Sequence, residues 1–140
     1  MAEYRLLTYR DGNQPVAGVL VGDRVYPAAA LLRGAGVDAS SVKALLGTWP
    51  KTHRALAKAA GKVRPAGGKP LKRVKLLAPV LYPDGLFCAG ANYWDHMEEM
   101  ARAQGRTVDR SSRPDGPWFF LKTSPHSIIG PNAPAKLPAR

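Results

Sequence analysis

A chain of 140 residues is long enough for one domain or two small ones, and 45% hydrophobic residues exclude a disordered polymer. A single cysteine, Cys88, excludes an intrachain disulfide; without a basic-apolar-small leader or an apolar run of membrane length, the expected setting is the reducing cytoplasm with no membrane partner. The formal charge of +11 points to anionic partners, but its distribution matters more than its size.

Residues Tyr4 to Tyr9 read as a strand in which Tyr4, Leu6 and Thr8 alternate with Arg5, Leu7 and Tyr9. Asp11-Gly12-Asn13 is turn chemistry, Val16 to Val21 the returning strand, and Gly22-Asp23 a tight turn into Arg24-Val25-Tyr26. A short helical segment runs from Pro27 to Leu32 and stops at Gly34. A second starts near Ser40 or Ser41 and ends at Gly47, with Val42, Leu45 and Leu46 on its buried side. Thr48 caps a third, from Pro50 to Ala60, with Gly61 after it.

No acidic residue lies between Asp38 and Asp84, and ten of the 21 basic residues fall in that interval. The stripe is either a solvated basic helix and linker or a nucleic-acid footprint; aromatic residues interleaved for base stacking are missing, so nucleic acid is not the expected partner. Lys62 to Lys75, with Pro65, Gly67, Gly68 and Pro70, has the composition of a flexible linker at a domain boundary. Domains are therefore expected over residues 1–70 and 71–140.

Pro83-Asp84-Gly85 is a turn before an apolar strand, Leu86 to Ala89, where Cys88 is expected to be a small buried residue rather than a nucleophile. Asn92 is a good N-cap for a helix that runs to Gln104, with Gly105 as its stop, and Asp95 suits the positive helix end. On that helix His96 and Glu99 are three apart, so their Cβ atoms lie roughly 5–6 Å from one another. Two readings apply. The pair is either a solvated contact worth a few tenths of a kcal/mol, or a proton-handling pair in which the carboxylate fixes the tautomer and makes the ring a better base.

Residues 105–117 form a long polar loop of the kind that is usually functional or disordered. Trp118 to Lys122 is a strand whose composition suits burial on both faces. Lys122 ends it, so its amine either projects into a pocket toward a substrate carboxylate or snorkels to the surface. Tyr93 either packs or offers its hydroxyl to substrate. Ser124-Pro125-His126 is a turn, Ser127 to Ile129 a short strand, and Gly130-Pro131-Asn132 another turn. His126 and Ser127 have no acid at a triad spacing, and His53 is expected to be exposed.

Four segments carry a resemblance: Gly90-x-Asn92-Tyr93-x-x-His96-x-x-Glu99, then Trp118-Phe119-Phe120-Leu121-Lys122, Ile129-Gly130-Pro131 and Leu137-Pro138. In order and spacing they resemble the opening of the catalytic domain of the fumarylacetoacetate hydrolase family, and the residues before about Leu76 resemble that family's small N-terminal domain. The resemblance implies an α+β fold: a small N-terminal sheet-and-helix domain, then the start of a mixed-β, β-sandwich roll-like catalytic domain. It implies a homodimeric enzyme that cleaves, isomerises or decarboxylates a small 2-oxo or 1,3-diketo acid with a divalent cation, Mg2+ or Mn2+. His96 and Glu99 would be catalytic, and Tyr93 and Lys122 would bind substrate.

The family's metal ligands are two glutamates in an E-x-E pattern after the Leu-Pro segment, plus a later aspartate. No E-x-E occurs in this sequence. The expectation is therefore the front part of a longer enzyme, inactive by itself and with no metal ligand of its own. Ala91 also departs from an arginine that some members carry for the substrate carboxylate. Two other classes are carried beside this one: a non-catalytic accessory chain, and a basic nucleic-acid-binding module on the Lys43–Lys75 stripe.

Overall fold

A computed structural model describes residues 3–111, 116–122 and 127–136. The chain is a mixed α+β protein of two compact units, Met1–Pro83 with Ile128–Arg140, and Asp84–Ser127. Among the described residues no helix is long and apolar enough to cross a membrane.

In the first unit, β1 (Arg5–Asp11), β2 (Gln14–Val21) and β3 (Arg24–Pro27) form an antiparallel meander closed by two-residue turns. The pairing Leu6↔Val19 and Thr8↔Ala17 puts one set of alternating residues on a single face. Three helices supply the layer over it: α1 (Ala28–Leu31), α2 (Val42–Gly47) and α3 (Trp49–Ala60). Ala17, Val19, Ala28, Leu32, Val42, Leu45 and Leu56 make the core between them. Ser41 starts α2 by accepting a hydrogen bond from the Ala44 N–H at 3.0 Å. Thr48 stands at the cap position of α3 but makes no capping bond. Its hydroxyl lies 3.1 Å from that of Thr52 instead, and Pro50 occupies the first turn where no N–H is needed.

The stretch expected to be a flexible linker is ordered into this unit. β4 (Lys69–Pro70) pairs with β3, and β5 (Lys75–Leu76) pairs with β1, so one segment completes both edges of a curled sheet in the order β4-β3-β2-β1-β5. A short 3-10 turn at Pro65–Gly67 leads into β4, and another at Leu71–Arg73 carries the chain from β4 to β5. The Tyr26 hydroxyl donates to the Arg64 carbonyl at 3.1 Å, Arg24 donates to that of Gly68 at 3.0 Å, and the Leu71 N–H donates to that of Asp23 at 2.9 Å. Lys69 meets Asp11 at 2.8 Å, a hydrogen bond that raises the lysine's pKa. The reason is general: an open sheet edge is a row of unpaired N–H and C=O groups, and even a proline-rich segment can satisfy it. The units therefore part at Pro83, not near residue 70.

Ile128 to Lys136 return to this unit, where Gly130 sits against the Leu77 backbone; a Cβ there would stand 3.1 Å from the Leu77 Cα. Pro131 and Asn132 form the expected turn, with Asn132 at φ 59. The strand expected over Ser127–Ile129 is absent, because no neighbouring strand pairs with it among the described residues. The turn read at Ser124-Pro125-His126 and the Leu137-Pro138 segment lie outside the described residues.

In the second unit β6 (Leu86–Ala89) pairs antiparallel with β7 (Phe119–Lys122), and α4 (Trp94–Ala103) follows β6. Both strands were legible. Burial of β7 on both faces was not: Phe119, Phe120 and Leu121 are exposed, as is Phe87 on β6 at 77%. A two-stranded ribbon has no second layer to cover it, and composition alone cannot supply one. Cys88 is half-buried with a free thiol.

Candidate functional site

The second unit builds its site at the end of the ribbon where Ala89 faces Phe119. One pair further along, the Gly90 N–H donates to the Trp118 carbonyl at 2.9 Å, extending the ladder. Asn92 then continues it with a side chain. Its amide nitrogen donates to the Trp118 carbonyl at 2.8 Å, and its amide oxygen accepts from the Trp118 N–H at 2.6 Å. This corrects the N-cap assignment: α4 has Tyr93 at its cap position with no side-chain bond, while the Asn92 amide is spent clamping the other strand. A primary amide offers the same donor-acceptor pair as a peptide, which suits it to either task.

Gly90 is fixed by the same contact. The Trp118 indole lies where a Cβ on residue 90 would stand, so any side chain there collides with ring atoms. Gly90→Ala is expected to drive the indole off and weaken the clamp, costing about 1–3 kcal/mol, the usual penalty of overpacking. Adding Trp118→Ala should recover most of that loss. Thermal unfolding of the three proteins checks it, and additive losses in the double variant would mean that the ring does not lie over residue 90.

Helix α4 ends as its glycine predicted. Gly105 adopts φ +65, its N–H reaches the Arg102 carbonyl at 3.1 Å, and the Arg106 N–H reaches that of Ala101 at 2.8 Å. The described part of the following loop returns to the helix. Arg110 grips the Glu98 carboxylate, with Nε at 3.0 Å from Oε1, and its guanidinium lies 5.7 Å from the Trp94 ring centroid. Asp109 accepts from the hydroxyl and N–H of Ser111, which hold its carboxyl below the usual carboxylate range.

Between these parts is a cavity of about 830 Å3 lined by Ala91, Asn92, Tyr93, Trp94, Met97, Gly116, Pro117 and Trp118. Tyr93 belongs to this lining. His96 and Glu99 do not; they form their own pair on the same helix, with Nδ1 3.4 Å from Oε2, at the long end of a hydrogen bond. Both are exposed, with half of the His96 side-chain surface and three quarters of that of Glu99 open to solvent. Asp95 accepts from the His96 N–H at 2.8 Å. Lys122 is not in this lining either: it pairs across from Leu86 at the other end of the ribbon, three residue pairs or roughly 10 Å along it.

Among the described residues no group of three or more histidine, cysteine or acidic side chains could hold a metal ion. The three acids of α4 are each engaged apart: Glu98 with Arg110, Glu99 with His96, and Asp95 with backbone. They do not fit the oxygen shell that Mg2+ or Mn2+ requires.

Sequence reading missed three elements here: the Asn92 clamp, the Arg110–Glu98 pair across twelve residues and the Trp118–Gly90 contact. The last two join residues whose separation leaves no periodic trace, and only glycine beside a strand end hinted at the third.

In the first unit, His53 is exposed as expected but not solitary. Its Nδ1 lies 2.6 Å from the Tyr4 hydroxyl and its ring 5.3 Å from that of Trp49. Three of the basic side chains are engaged locally: Lys51 donates to the Gly36 carbonyl, Arg54 to that of Pro50, and Lys69 to Asp11.

No protein-family model matches the sequence, and no solved structure is significantly similar to it. The chain is similar to Protein Rv2993c of Mycobacterium tuberculosis (strain ATCC 25618 / H37Rv), at 46% identity over 70 residues. That match takes in 50% of this chain and 22% of the relative.

Proposed function

We propose that the chain is the front part of a longer, cytoplasmic enzyme of the fumarylacetoacetate hydrolase type, homodimeric and acting on a small 2-oxo or 1,3-diketo acid. The reaction is carbon–carbon hydrolysis, isomerisation or decarboxylation, each of which moves a proton next to a carbonyl. The observation that carries the reading is the His96–Glu99 pair on the helix whose Trp94 and Met97 line the cavity. With Nδ1 turned toward the carboxylate, Nε2 is the ring nitrogen left to take a proton from water or substrate. Glu99 holds the tautomer and steadies the imidazolium that forms. The share of the relative that is matched, 22%, supports a longer whole. A divalent cation, Mg2+ or Mn2+, would take its ligands from carboxylates elsewhere in that whole.

In D2O, the full-length protein should exchange the hydrogens next to the carbonyl of small 2-oxo and 1,3-diketo acids, or turn those acids over, as read by proton NMR. The 140-residue chain alone should do neither. Silence of the full-length protein toward the whole set would sink the reaction class, and turnover by the chain alone would sink the front-part reading.

A further inference from the structure

The cavity wall is unusual for a chain of net charge +11: among the described residues its lining holds no ionised side chain. Tyr93, Trp94, Met97, Pro117 and Trp118 give it an aromatic and thioether surface, and Ala91 adds only a methyl group. The polar group of Asn92 is already spent on both backbone atoms of Trp118. The Arg110 guanidinium that packs on Trp94 is likewise spent on Glu98.

A carboxylate entering here would lose water without meeting a free cation among the described lining residues, which is strongly unfavourable. A ring has no charge to desolvate and gains contact with two indoles, whose faces and edges favour aromatic partners. Met97 can adapt to its outline. The volume, about 830 Å3, exceeds what one ring needs.

Both indole walls are set in place before any ligand arrives. Trp118 is held by the Asn92 clamp and by the missing side chain of Gly90. Trp94 is backed by Arg110, itself tied to Glu98. Walls positioned by separate devices lower the ordering cost of binding.

We propose that this cavity receives an uncharged aryl or branched-alkyl substituent, so that the substrate is a 2-oxo or 1,3-diketo acid with an apolar remote end rather than a second carboxylate. The substrate assignment rests on the reaction class proposed above; the cavity's preference for an apolar group does not.

Two probes that share a methyl ketone separate the possibilities: 4-phenylbutan-2-one, with a ring, and 4-oxopentanoate, with a carboxylate in its place. Titrations of the full-length protein are read at the indole N–H signals of Trp94 and Trp118, with Trp49 as the internal reference. The aryl ketone should shift the first two and leave Trp49 unmoved, with a dissociation constant at least tenfold below that of the oxo acid. Ala91→Arg, which adds a cation to the lining, should reverse the order. Equal or tighter binding of the oxo acid by the unaltered protein would overturn the proposal, as would aryl shifts that miss Trp94 and Trp118. These outcomes need only the unaltered protein, so they stand even where the arginine variant does not fold. Aryl binding without turnover of any oxo acid would retain the cavity's preference and remove the reaction, so the two readings fail separately.

Discussion

Replacing His96 with alanine, or Glu99 with glutamine, in the full-length protein is expected to lower kcat by roughly 10²–10⁴-fold, the usual worth of general acid–base help. The two side chains are a unit: Nδ1 and Oε2 stand 3.4 Å apart. The alanine removes the base itself. The glutamine keeps the size of the carboxylate but loses the charge that steadies the imidazolium, and it can present an N–H where an acceptor is needed. Because both changes disable the same proton transfer, the double variant should be scarcely slower than the worse single one. Metal affinity should change little in all three, since neither residue is placed as a ligand. Steady-state rates with calorimetry for the cation decide the matter. Two single variants with unaltered rates would reduce the pair to a solvated contact on an exposed helix.

Leu56→Ala should lower the stability of the first unit by about 2–5 kcal/mol, a large part of the roughly 5–15 kcal/mol that a domain has. Leu56 is completely buried on α3, in one cluster with Leu45, Val42 and the strand residues Ala17 and Val19. The small side chain loses the transfer free energy of the removed carbons and leaves a hole that a helix tied to its neighbours cannot close. Urea unfolding followed at Trp49, on the same helix, gives the number directly. A change below about 0.5 kcal/mol, the range of ordinary surface substitutions, would mean that α3 does not pack on the sheet through this face.

The first unit was largely legible because local chemistry decides it. Two-residue turns at Gly12-Asn13 and Gly22-Asp23 fix the register of three strands, and Ser41, Pro50 and Gly47 punctuate the helices. The edge segment 69–76 was not legible, since two-residue strands have no period to read and their partners lie more than forty residues away. At the site, the His96–Glu99 pair followed from helical spacing alone. The Asn92 clamp did not, because the same amide caps a helix or mimics a peptide, and the choice depends on Trp118. The apolar run from Trp118 to Leu121 was read as buried from its composition, yet burial is a property of two layers.

The first unit is assembled from both ends of the sequence, leaving at Pro83 and resuming at Ile128, so the second unit is in effect an insertion within it. During synthesis the ribosome releases all five strands of the curled sheet before the last segment exists. The nascent sheet can close both edges early, but the seat at Leu77 stays empty until Gly130 emerges. A stall between residues 84 and 127 would therefore show up away from the stall, as a sheet with one side of Leu77 uncovered.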